Sequence, residues 1–141
     1  MKIVLFAGLC LLGLSSCKRF AAENFDAYFW TSTKGIKMYL YIEGQKKGEL
    51  PYLDKAPDCD DAGSKLGALK LDLPSDTYLI EVKDEAGGYL FSEELKIWKR
   101  GGNISLGNTQ PNDADGGARR TFKGNCLIEE LFYKQARTMR E

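Results

Sequence analysis

The chain contains no histidine. That absence removes the Ser-His-Asp and Cys-His nucleophile systems and every metal site built on imidazole, HExxH included. Catalysis would fall to carboxylates, lysine, tyrosine or a metal held by oxygens. A charge excess of either sign is also missing, because 20 basic residues balance 20 acidic ones. Nucleic-acid binding, which rests on a basic patch, is therefore not expected. No apolar run reaches the roughly 20 residues that a membrane-crossing helix needs. Cysteine and proline are scarce, with four of each in 141 residues. No cofactor-binding loop is present, and no cofactor is expected.

What is present begins at Met1–Cys17, MKIVLFAGLCLLGLSSC. A charged start, a short apolar core from Ile3 to Leu14 and a small-residue exit make up a secretory signal. Leu14-Ser15-Ser16-Cys17 resembles the lipobox of bacterial lipoproteins. The resemblance implies cleavage before Cys17 and lipid, palmitate included, on that residue, and two or three acyl chains hold a protein stably on a membrane. Lys18 follows the cysteine instead of an inner-membrane-retaining Asp, which by the same analogy places the protein in the outer membrane of a Gram-negative bacterium. The expected division is a signal peptide over residues 1–16, a lipidated tether over 17–25 and one domain over 26–141. Removing 16 residues from 141 leaves 125, enough for one core.

With Cys10 in the signal and Cys17 lipidated, Cys59 and Cys126 remain. An even pair in an oxidising compartment predicts one disulfide, worth about 4 kcal/mol for a loop of that length. The alternative is two free buried thiols.

Hydrophobic periodicity predicts strands at Asp26–Thr31, Ile36–Glu43, Leu66–Leu73, Thr77–Lys83, Tyr89–Trp98 and Asn103–Leu106. Ile36, Met38, Leu40 and Ile42 alternate with Lys37, Tyr39, Tyr41 and Glu43. Tyr89, Phe91, Leu95 and Ile97 are expected to share a face that Glu93 interrupts, at a bulge. Gly44–Gly48 reads as a turn and Tyr52–Lys65 as a long loop pinned by Cys59. Gly107–Arg120 is polar and Gly-rich and reads as a mobile loop. From Cys126 onward, Leu127, Ile128, Leu131 and Phe132 fit one helix face, and Cys126–Tyr133 fits a strand equally well. The expected fold is mainly β, a single antiparallel β-sandwich of Ig-like, transthyretin-like or PEGA-like type, with a short C-terminal helix as an option. No βαβ pattern points to a parallel sheet.

Tyr39-Leu40-Tyr41-Ile42-Glu43-Gly44, Gly48-Glu49-Leu50-Pro51, Leu73-Pro74 and Tyr78-Leu79-Ile80-Glu81-Val82 together resemble the PEGA type of small β-sandwich. Glu43 stands where that family has Asp, Asp76 falls near its expected Gly, and the Tyr52–Lys65 loop is longer. The resemblance implies an envelope binding module with no catalytic residues.

Asp58, Asp60 and Asp61 are weak calcium candidates, but their spacing is not that of an EF-hand, and solvated loop acids explain them as well. Glu93 and Glu94 cannot converge as a catalytic pair, because adjacent strand residues face opposite ways. Tyr39, Tyr41 and Trp98 form the candidate binding surface, since exposed aromatics make sugar platforms or protein hot spots. The expectation is a non-catalytic lipoprotein, anchored in the membrane by its lipid, that docks on another envelope or secretion-system protein. The alternative is a carbohydrate-binding surface lipoprotein with a glycan ligand.

Overall fold

The computed structural model describes residues 23–100, 103–105 and 116–134. Cys17 with its lipobox, the expected loop over 107–115 and the tail beyond 134 lie outside the described residues. Among these residues nine strands and one short helix follow in chain order. They are β1 (Asn24–Trp30), β2 (Met38–Ile42), β3 (Gln45–Glu49), α1 (Ala62–Lys65), β4 (Leu69–Pro74), β5 (Asp76–Asp84), β6 (Tyr89–Arg100), β7 (Asn103–Ser105), β8 (Gly116–Lys123) and β9 (Cys126–Tyr133).

The strands form two sheets, ordered β4-β1-β9-β8 and β3-β2-β5-β6-β7. They pack as a β-sandwich around Phe25, Phe29, Met38, Leu40, Ile80, Phe91, Leu95 and Leu127, all essentially inaccessible to solvent. The cause is period two: alternate residues of β1, β2, β5 and β6 are apolar and meet between the sheets. Ser75 carries the chain from β4 in one sheet to β5 in the other. Pro74 is tolerated in β4 because that strand is an edge.

Several expectations change. Residues 45–49 are a strand and not a turn. Glu43 and Gly44 both take positive φ (50° and 76°), the requirement of a two-residue hairpin loop. Strand β3 pairs with β2, yet its sequence QKKGE has no apolar face, because it is a solvated edge. The tail from Cys126 to Tyr133 is strand, with no helix there. Strand β9 runs parallel to β1, Asp26 opposite Cys126 and Trp30 opposite Glu130, so the sandwich is mixed and not purely antiparallel. Residues 127–131 are all buried, since β9 is central and covered on both faces. A strand buried on both sides loses the alternation that would have marked it.

Glu93 is not at a bulge. It lies on the inner face with Phe91, Leu95 and Ile97. The irregularity falls at Leu90: Val82 pairs with Phe91 but Lys83 pairs with Tyr89. The skipped residue turns Tyr89 outward, where it is 56 % exposed.

Residues 116–120 belong to β8 and not to a mobile loop. Gly116 is there for space. A Cβ on it would lie 2.4 Å from the Phe91 ring, which is itself buried. Gly116→Ala is expected to cost about 1–3 kcal/mol by overpacking. Chemical denaturation would measure this, and a loss below about 0.5 kcal/mol would show that Phe91 gives way freely.

Candidate functional site

The two sheets differ on their outward faces. The loop between β3 and β4 lies over the β4-β1-β9-β8 sheet and is stapled to it. Cys59 and Cys126 form the disulfide, with Cα atoms 5.9 Å apart. Asp60 pairs with Lys123, and the Lys65 ammonium stands 5.2 Å from the Tyr28 ring centre. Ile128, on the outward face of β9, is buried.

The three acidic candidates serve this loop. Asp61 caps α1, accepting from Gly63 N at 2.9 Å and Ser64 N at 3.3 Å. Asp58 accepts from Asp60 N at 2.8 Å. With Asp60 on Lys123, each carboxylate has a local role, and among the described residues no group of acids is arranged to hold a metal ion.

The outward face of the β3-β2-β5-β6-β7 sheet carries no such cover among the described residues. Tyr39 and Tyr41 of β2 lie opposite Lys83 and Glu81 of β5, and those lie opposite Tyr89 and Ser92 of β6. Leu79, one step along β5, is 46 % exposed. Lys46 stands 3.9 Å from the Tyr39 ring centre and Lys83 stands 4.4 Å from that of Tyr41. Three tyrosines and a leucine thus share one sheet face, interleaved with lysines.

Tyr39 and Tyr41 are brought together as expected. Trp98 is placed apart: it pairs with Ser105, six residues along β6 from Ser92, or about 20 Å at strand rise. Its side chain lies outside the described residues. Leu79 was legible as an apolar residue at an outward position of an alternating strand. Tyr89 was not, because nothing in the local pattern marks the skip at Leu90.

A second feature lies where the parallel pair ends. Since β1 and β9 run the same way, residues 31–34 and 133–134 leave the sheet together. Thr33 stitches them: Tyr133 N donates to Thr33 Oγ1 at 2.9 Å, and Thr33 Oγ1 donates to Tyr133 O at 3.2 Å. An open cleft of about 360 Å³ lies there, lined in part by Lys34, Arg119, Phe132 and Lys134. The Arg119 Nη1 donor is 3.2 Å from both Glu130 oxygens, and its guanidinium sits 4.5 Å from the Phe132 ring centre. The Ser32 hydroxyl donates to Glu130 as well. Lys34 lies 3.6 Å from Asp54 and 5.2 Å from the Tyr52 ring centre. The Tyr52 contact, followed by the Asp54 charge, raises the Lys34 pKa above the ordinary lysine value. None of these residues was singled out by sequence, because Ser32, Thr33 and Lys34 carry no motif and Arg119 fell in the expected loop.

No protein-family model matches the chain, and its sequence matches no curated protein. The crystal structure of Abundant Perithecial Protein from Neurospora crassa is similar in shape, with a TM-score of 0.45 at 15 % identity. The alignment covers 78 % of this chain and 54 % of that one, so the chain spans about half the length of the fungal protein.

Proposed function

We propose that this protein is a non-catalytic binding module, lipidated at Cys17 and held at the bacterial outer membrane, that docks on another envelope or secretion-system protein. The uncovered tyrosine face supports the reading. One sheet of the sandwich has part of its outer side covered by the 19-residue connection of residues 50–68, pinned there by the disulfide. The other leaves Tyr39, Tyr41, Leu79 and Tyr89 on a common face. Tyrosines set in a mixed polar field are the composition of protein-binding hot spots. The lysines over Tyr39 and Tyr41 favour a protein partner over a sugar, which would have to displace them to stack on the rings.

The double variant Leu79→Lys, Tyr89→Lys tests this reading. Both side chains are exposed, so folding should survive, while binding to the native membrane partner should weaken by about 2 kcal/mol or more, roughly thirty-fold. Pull-down from detergent-solubilised native membranes against the parent chain would read the change. Unchanged recovery, together with binding of the parent to a glycan array, would replace this reading by the carbohydrate-binding one.

A further inference from the structure

We propose that the cleft at the shared end of β1 and β9 binds an anionic group, a carboxylate or a phosphate. This goes beyond the docking face, which lies on the other sheet. Three cations, Lys34, Arg119 and Lys134, line the cleft, and the two carboxylates beside them are already engaged. Asp54 accepts a 2.6 Å hydrogen bond from the Tyr52 hydroxyl and pairs with Lys34. Glu130 is nearly buried and holds Arg119 and Ser32. Lys134 has no ion pair among the described residues. One positive charge is therefore left in excess at an open site.

Arg119 is the centre of the site. Glu130 takes only its Nη1 nitrogen. Its Nε and Nη2 donors meet no acceptor among the described residues, and Phe132 holds the plane of the group from one side. The side chain is nevertheless 68 % exposed. A guanidinium fixed on one edge and free on the other is pre-organised for an oxyanion, because the rotamer entropy that binding would cost is already lost. Glu130 orients the arginine without neutralising the whole fork. The flanking Lys34 and Lys134 ammoniums supply point charges on a flexible reach. A volume of about 360 Å³ sits at the lower end of the range of small-ligand sites, which fits a small acid or the acidic end of a larger chain.

The test uses the full chain in detergent micelles, ¹⁵N-labelled, titrated with inorganic phosphate in one arm and glucuronate in the other, at constant ionic strength set with sodium chloride. Saturable amide shifts confined to Thr33, Lys34, Arg119 and Lys134 are expected in at least one arm, and the arm that saturates at lower concentration tells phosphate from carboxylate. Lys34→Gln with Lys134→Gln should raise the apparent Kd at least five-fold, and Arg119→Lys, which keeps a charge for Glu130, should raise it further. Both variants should unfold at the parent temperature. Shifts that fail to saturate, that appear equally at Lys46 and Lys96, or that are untouched by the lysine pair would overturn the proposal. The Leu79→Lys, Tyr89→Lys variant should bind the anion like the parent, so the two sites can fail independently.

Discussion

Replacing Arg120 with methionine is expected to destabilise the fold by about 3–5 kcal/mol, the cost of stripping one partner from a buried ion pair. Arg120 points from β8 into the sandwich, where its side chain is 10 % exposed. Its Nη2 lies 3.3 Å from Glu93 of the opposite sheet and 3.1 Å from Glu129, its cross-strand partner on β9. One guanidinium thus serves two carboxylates in the core. The contact to Glu129 is one of distance only: both Glu129 oxygens lack an aligned hydrogen bond. Burial drives the Glu129 pKa upward, against the pull of Arg120, and the Glu93 charge adds to the rise. The folded state thus holds the Glu129 proton more tightly than the unfolded chain does.

The sign of the pH dependence follows. A carboxyl whose pKa is higher folded than unfolded binds its proton more tightly in the native state. Its contribution is fully present below the unfolded value of about 4.3 and is lost as pH rises through the folded value. Glu129→Gln should therefore gain stability relative to the parent as pH rises above that ordinary carboxylate value. Asp26 works in the opposite sense: hydrogen bonding to Lys70 lowers its pKa, so its contribution is lost on acidification. Glu129→Gln should leave that acid limb unchanged. Removing Arg120 in the Glu129→Gln background should cost less than in the parent, with coupling of about 0.5–3 kcal/mol. Urea denaturation of the four proteins at two pH values measures all of this. A loss below about 1 kcal/mol for Arg120→Met would mean that the triad is hydrated and not buried.

The second large effect belongs to the disulfide. Cys59→Ala with Cys126→Ala is expected to lower stability by about 4 kcal/mol, within the 2–5 range found when small exported domains lose a bridge. The separation of 67 residues makes the closed loop long. The loop also covers part of the outer face of the β4-β1-β9-β8 sheet, so its release should expose Tyr28 and Ile128. Hydrogen exchange at Tyr28 and Ile128 should then accelerate while the centre of β5 stays protected. A denaturation midpoint that does not move on reduction would contradict this account of the staple.

Of these two features only the disulfide was legible in the sequence; the buried cluster was not, because Arg120 fell in the expected loop and Glu93 at an expected bulge. The disulfide followed from the cysteine count and the expectation of export. Strands β2 and β5 followed from clean alternation, since each buries one face and wets the other. Strand β9 was ambiguous for a physical reason: it is covered on both sides, and its two glutamates are buried beside Arg119 and Arg120. Strand β3 was invisible because an edge strand needs no apolar residue. The tyrosine face was half legible, with Tyr39 and Tyr41 visible in the pattern and Tyr89 hidden by one skipped residue. The cleft was not legible at all, because it depends on β1 and β9, at opposite ends of the chain, running side by side in parallel.

The docking claim is tested most directly by photo-crosslinking in intact bacterial envelopes. A photoreactive side chain at Leu79, on the uncovered sheet, should give one discrete protein adduct. The same group at Asp72, exposed on the loop-covered sheet, should give none. Equal labelling from both positions, or an adduct from Asp72 alone, would contradict the assignment of the tyrosine face as the docking surface.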